Sequence, residues 1–221
     1  MTQECRPAKC IEAIRVSLLD QCTLEPLEGA LNGYAIGCII DPNWTPEIEE
    51  GEESQVLDNC QNVCLYDEGC DKVKRYNLEF KIKEPDKEFL NLVLGDPLIV
   101  DTGISIGLRH VSRQCSPYVF LEMFERTDGC EVDGDPIYFH HIFPAVRLKH
   151  TANEREGIFR ILQLEGKTRD VLTNSIGNGP YNDFPAGYAA AAPATERTHY
   201  IWFEDDFVPA VVCGSIAVPA Q

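Results

Sequence analysis

A mainly β fold, an antiparallel sandwich or barrel with one flanking α-helix and long loops and arms, is the class this sequence predicts. Three observations carry it: one twelve-residue stretch of strict period-two alternation, seven further strand-like runs, and a single segment of helical periodicity bounded by capping residues. At 221 residues the chain fits a single all-β domain spanning 1–221, and 44% apolar residues suffice for an ordinary core.

Taken in chain order, residues 1–10 form an N-terminal arm without the apolar stretch of a secretory signal, and no run approaches the length of a membrane span; the expectation is a soluble protein made in the cytoplasm. Strand runs follow at Ile14–Leu19 and Tyr34–Ile40, and then a long acidic loop at 41–71. The sequence KVKRYNLEFKIK, residues 72–83, puts Lys74, Tyr76, Leu78, Phe80 and Ile82 on one face and Arg75, Asn77, Glu79, Lys81 and Lys83 on the other, the signature of a half-buried antiparallel strand. After Pro85, Asp86 can cap a helix whose apolar stripe is Phe89, Leu90, Val93 and Leu94, and Gly95 before Asp96-Pro97 ends it. Further strands are expected at Ile104–Val111, Tyr118–Arg126, Ile137–Leu148, Ile158–Leu164 and His199–Glu204. Asp128-Gly129 and Asp133-Gly134 flank Cys130 and read as turns of an exposed loop. Residues 173–198, rich in Gly, Ala and Pro, read as an irregular arm, and 208–221 as a C-terminal tail.

Charge is distributed unevenly. No Lys or Arg occurs between Arg15 and Lys72, while thirteen acids do, so this stretch carries -13 of a net -17. Ordinary nucleic-acid binding is excluded, because phosphate contacts need clustered cations and the sequence shows no such cluster. The acids Glu47, Glu49, Glu50, Glu52 and Glu53 run toward Lys72, Lys74 and Arg75, an acidic loop leading into a basic strand. Asp20, Glu79, Glu122 and Glu125 alternate with core positions; Glu122 and Glu125 read as solvent-exposed.

Chemistry-bearing motifs are scarce. The ten cysteines include no Cys-x-x-Cys, and Cys60, Cys64 and Cys70 lack a neighbouring histidine pair; the reading is a mixture of buried thiols and one or two late disulfides rather than zinc, with Cys60, Cys64 and Cys70 the candidates to pair, with one another or with a neighbouring chain. His140 and His141 are adjacent, so on a strand they point to opposite faces rather than at one metal. The acids between Asp128 and Asp135 lack calcium-loop spacing. No nucleophile elbow, phosphate loop, dinucleotide-binding glycine pattern or metalloprotease motif is present, so the sequence predicts neither an enzyme nor a cofactor.

A resemblance gives these features a use. The stretch Trp44-Thr-Pro-Glu-Ile-Glu-Glu-Gly-Glu-Glu53, the run from Asn62 through Cys64, Cys70 and Lys72 to Phe80, the opening Ile14-Arg-Val-Ser-Leu-Leu-Asp-Gln-Cys22, the helix with Gly95-Asp-Pro97, and Gly177-Asn-Gly-Pro-Tyr181 together resemble the major tail tube proteins of long-tailed phages that infect actinobacteria. The likeness spans most of the chain and is clearest over 12–100. It implies a virion structural protein that forms hexameric rings stacked into a hollow tail, assembled in the host cytoplasm. Its partners would be itself and other tail proteins, with DNA passing through a negative channel without specific binding and no membrane insertion. Under that reading the acidic loop meets the basic strand of an adjacent subunit, with Glu47, Glu49, Glu50, Glu52, Glu53, Lys72, Lys74 and Arg75 as inter-subunit contact candidates, and Asp20, Glu79, Glu122 and Glu125 are channel-lining candidates. The alternatives are another virion component, such as a head decoration or tail-completion protein, and a β-sandwich binding module or enzyme using the Asp128–Asp135 loop.

Overall fold

Alternation along residues 72–83 makes the strand the sequence predicts: Leu78, Phe80 and Ile82 are buried while Glu79 is exposed, because successive side chains leave a strand on opposite faces. The computed structural model describes residues 8–37, 39–52, 54–57, 63–67, 69–111, 115–132, 135–185, 188, 195–205 and 213–220. In chain order its strands are β1 (Ala8–Leu18), β2 (Gly29–Ile36), β3 (Ile39–Glu49), β4 (Ser54–Leu57), β5 (Val63–Asp67) and β6 (Lys72–Lys83). Helix α1 (Lys87–Leu94) follows, then β7 (Leu98–Asp101), β8 (Ile104–Leu108), β9 (Tyr118–Val132), β10 (Asp135–Glu156) and β11 (Phe159–Thr168). After β12 (Val171–Leu172) and a 3-10 turn at Thr173–Ile176 come β13 (Arg197–Thr198), β14 (Ile201–Asp205) and β15 (Gly214–Val218).

The fold is mainly β and antiparallel, with one flanking helix. Among the described residues nine strands form one sheet in the order β15-β2-β1-β9-β10-β11-β6-β3, with β14 beside the first part of β10. Ile14, Tyr34, Phe80, Leu121, Phe143 and Leu164, from six different strands, meet in a single apolar cluster. One face of so many neighbouring strands can converge only if the sheet curls around it, and β3 at one end of the path comes back to touch β1. Helix α1 covers the core from one side: Asp86 accepts the Glu88 N–H at 2.8 Å, Gly95 closes the helix at φ 70 with its N–H donating to the Asn91 carbonyl, and Phe89, Leu90, Leu92, Val93 and Leu94 are buried. The Phe89 ring meets Tyr34 edge-on at 5.8 Å.

Several expectations are corrected. Tyr34–Ile40 is not one strand: β2 stops at Ile36 and a new strand begins at Ile39. The acidic stretch 41–71 is not a loop throughout, since 41–49 belong to β3 and pair with β6, and Ser54–Leu57 pairs with Val63–Asp67 as a hairpin. Asp128-Gly129 lies inside β9 rather than in a turn; Val132 of β9 pairs with Asp135 of β10, and Asp133-Gly134 lies outside the described residues. Residues 8–10 of the expected N-terminal arm belong to β1, and residues 214–218 of the expected tail form β15 on the edge of β2.

The expected arm at 173–198 is irregular but packed. Ile176 and Phe184 are buried with Val171 against Leu19, Phe120, Ile142 and Ala145 on the outer face of β9 and β10. These strands are therefore covered on both sides, which is why Tyr118–Phe124 reads as an almost unbroken apolar run. Residues 186–187 and 189–194 of that arm lie outside the described residues.

Gly33 marks where this segment and the C-terminal strand cross β2. A Cβ there would collide with the Tyr181 hydroxyl and lie 2.6 Å from the Ile216 carbonyl oxygen. Gly33→Ala is expected to lower stability by about 1–3 kcal/mol in urea unfolding; an unchanged midpoint would show that the crossing is loose.

Candidate assembly surface

Acid meets base within one subunit. Strand register sets Glu47 opposite Arg75 and Glu49 opposite Lys72. Arg75 grips Glu47 with two hydrogen bonds at 2.6 and 2.8 Å, Asn77 adds a third contact at 3.4 Å, and Lys74 approaches to 3.8 Å. The Arg75 hydrogen bonds hold the Glu47 carboxyl below its ordinary range. The contact expected between subunits for Glu47, Lys74 and Arg75 is thus already made inside the chain, where solvent screening leaves an exposed pair little weight in stability. Glu49, Glu50 and Glu52 are exposed beyond it, as is Lys72, and Glu53 lies outside the described residues.

The four channel-lining candidates separate. Glu79 is exposed and accepts a hydrogen bond from Gln163 Nε2. Asp20 is partly exposed and closes its own turn, accepting the backbone N–H groups of Thr23 and Cys22 at 2.8 Å each, which lowers its pKa. Glu125 is half-buried and paired with His141 at 2.9 Å.

Glu122 is fully buried, which overturns its reading as a solvent-facing residue. It faces Arg15 directly across β1 and β9 and accepts hydrogen bonds from Arg15 Nε and Nη2 at 2.7 Å each. Arg15 reaches Asp183 with Nη1 at 2.6 Å and lies 4.0 Å from the centre of the Tyr181 ring. His140 Nε2 stands 3.1 Å from Glu122 Oε1; an ionised carboxylate only accepts, so Nε2 carries the proton. Burial alone would push the Glu122 carboxyl up, but the Arg15 charge and the hydrogen bonds from His140 and Arg15 hold it down to about 2. A signal was present in the sequence: the same-face neighbours of Glu122 are Phe120 and Phe124, so its own side of the strand is core.

His140 and His141 do face opposite ways. His140 stacks on Phe124 at 4.3 Å, whereas His141 lies 4.7 Å from Trp44 of β3 and places its Nδ1 2.7 Å from the Tyr200 hydroxyl. Trp44, His141, Tyr200 and Phe143 pack together and fasten β3 back onto β10. Burial lowers the His141 pKa, with Glu125 opposing the shift. Cys70 is a free, exposed thiol, Cys60 lies outside the described residues, and so does the side chain of Cys64. Among the described residues no group of His, Cys, Asp and Glu is arranged to hold a metal.

The exposed surface also carries large apolar side chains. The β7–β8 hairpin, turned by Thr102 and Gly103 at φ 47 and 83, exposes Ile99, Val100, Ile104 and Ile106 at 45, 59, 67 and 63%. The β10–β11 tip, whose connection begins at Gly157 with φ 61, exposes Ile158 at 91% and Phe159 at 41%. The two ends of the sheet path, β3 and β15, leave strand edges unpaired among the described residues.

No family model, no curated protein and no solved structure matches this chain.

Stability should fall on acidification in two steps. His141 has a folded pKa below its ordinary 6.5, so its contribution is complete above that value and declines as pH drops through it. Glu122, depressed from 4.5 to about 2, contributes fully above pH 4.5 and loses that contribution toward pH 2. Urea unfolding across this range checks both. In Glu122→Gln the neutral-pH stability should drop by about 3–5 kcal/mol, because Arg15 loses a buried ionic partner, and the limb below pH 4.5 should flatten. An acid limb as steep as in the parent chain would assign it to other carboxylates.

Proposed function

We propose that this chain is a structural virion subunit that assembles with copies of itself into the stacked hexameric rings of a phage tail tube. The single observation that carries the reading is the β7–β8 hairpin. A two-stranded ribbon is marginal in water by itself, and this one holds four Ile and Val side chains out to solvent on a chain that is otherwise strongly charged. Burying each such side chain contributes about 1.5–3 kcal/mol, so a neighbouring subunit that covers the hairpin supplies several kcal/mol per contact.

Two further features support assembly. The edges of β3 and β15, unpaired among the described residues, offer main-chain donors and acceptors to an adjoining strand. The exposed Ile158 and Phe159 at the β10–β11 tip provide a second apolar contact. The tail tube in particular, rather than any self-assembling protein, rests on the sequence resemblance and on the net charge of -17. A channel of that sign repels DNA phosphates within the screening length of about 8 Å at physiological salt and so lets a genome slide without sticking. Exposed Asp41, Glu49, Glu50 and Glu52 are candidates for that role, alongside Glu79.

Negative-stain microscopy of the purified protein is expected to show hollow filaments of uniform width. The double variant Ile104→Ser with Ile106→Ser should keep its far-UV spectrum and remain unassembled. Monomers at high concentration by light scattering, with no filaments, would set the tail tube reading aside in favour of a decoration or completion protein.

A further inference from the structure

One region of this acidic chain has the opposite charge. Across the outer face of the sheet, strand register lines up Tyr118 of β9, Arg147 of β10, Lys167 of β11, Asn77 of β6 and Thr45 of β3 in one cross-strand row. Arg147 and Lys167 are direct partners in that row, and like charges directly opposite one another destabilise a sheet. No acid stands in the row to separate them.

Two of the surrounding acids are engaged by cations, Glu47 by Arg75 and Glu165 by Lys149 at 2.7 Å, while Glu79 at the edge of the adjoining recess accepts a hydrogen bond from Gln163. Arg147 lies over the Tyr118 ring at 4.0 Å, its Nε is buried, and that Nε makes no hydrogen bond among the described residues. Arg169 lies 5.7 Å from the same ring but does not line the cavity. Arg147, Lys167, Lys149 and the Glu47-bound Arg75 line a cavity of about 480 Å³ together with Glu165, Leu148 and Gly166. A second recess of about 220 Å³ extends it toward Asn77 and Thr45 and shares Lys149, Glu165, Gly166 and Lys167 with it.

We propose that this cavity is a binding site for a dianionic phosphate group, either free phosphate or a phosphate monoester. A chain of net charge -17 gathers cations at one point only against its average composition, and an unsatisfied Arg147–Lys167 pair is relieved by a ligand carrying two negative charges. The guanidinium of Arg147 presents a fork of N–H donors suited to phosphate oxygens, and Lys167 supplies a mobile point charge, with Lys149 beside it held by Glu165. Ser116 and Thr168 line the same space, but the Ser116 hydroxyl donates to the Leu148 carbonyl and Thr168 Oγ1 is engaged by the Tyr76 N–H and His199 Nδ1, so the cationic side chains supply the donors. The volume exceeds that of inorganic phosphate and falls in the range of small-ligand pockets, which leaves room for the organic part of a monoester against Tyr118 and Leu148. This inference does not depend on the assembly reading.

Calorimetric titration of the full chain at low ionic strength, in a phosphate-free buffer, tests it with three probes: inorganic phosphate, ribose 5-phosphate and succinate. Saturable one-site binding of phosphate is expected, with the sugar phosphate equal or tighter and succinate clearly weaker. Lys167→Glu, an exposed substitution whose fold is checked by circular dichroism, should weaken phosphate binding about tenfold. Glu165→Gln, which frees Lys149, should tighten it, and Lys81→Glu, at a position paired with Glu154 outside the cavity, should leave it unchanged. Tighter sugar phosphate assigns the site to monoesters, and equal affinity assigns it to free phosphate. Absence of saturable binding, succinate as tight as phosphate, or a Lys167→Glu protein that binds like the parent would overturn the proposal.

Discussion

The buried pairing of Arg15 with Glu122 constrains more of this molecule than any other single contact. It joins β1 to β9 in the middle of the sheet, and through Asp183 and Tyr181 it also ties down the irregular segment that covers the outer face. Two ions removed from water lose hydration that only close, well-aligned hydrogen bonds replace, so the geometry admits little slippage. A one-residue shift of β1 against β9 would turn Arg15 into the apolar core and leave Glu122 buried without its partner. The pair therefore specifies register, and the packing of Phe184 and Ile176 follows from where Asp183 and Tyr181 are held.

Charge in this chain is segregated at two scales. Along the sequence, a long stretch holds acids alone; in the fold, its best-placed acid, Glu47, turns inward to the basic end of β6. That arrangement satisfies Glu47 and Arg75 within the chain. Also exposed are Glu49, Glu50 and Glu52, the apolar β7–β8 hairpin and β10–β11 tip, and a compact basic recess around Arg147 and Lys167. Apolar surface supplies affinity with little directional preference, whereas charge mostly sets orientation and excludes wrong partners.

Much of the fold is legible in the sequence where one face is dry and the other wet. The strand 72–83 and the capped helix 87–94 match in type and extent, because their periodicity and cap residues are local properties. Strands covered on both faces are harder. Within Tyr118–Phe124 alternation disappears, so Glu122 resembles a surface acid although Phe120 and Phe124 share its face. Acidic composition likewise conceals β3: Glu47 looks fully solvated until Arg75 is placed opposite it. The β7–β8 hairpin is legible only in part, since the turn at Thr102-Gly103 and the short partner strand Leu98–Asp101 carry weak local signals.

By itself the sequence determined the β class, the helix and its ends, the net charge of -17 and the opposite facing of His140 and His141, all of which depend on residue type and spacing over a few positions. Only the tertiary structure decided that Glu122 is an ion-paired core residue, that the arm at 173–198 packs as a cover, that the acidic stretch pairs with its own basic strand, and that Arg147 and Lys167 stand side by side. Each of these depends on which strand lies next to which, and neighbours more than a hundred residues apart, like Arg15 and Glu122, are set by the closing of the whole sheet rather than by any local preference.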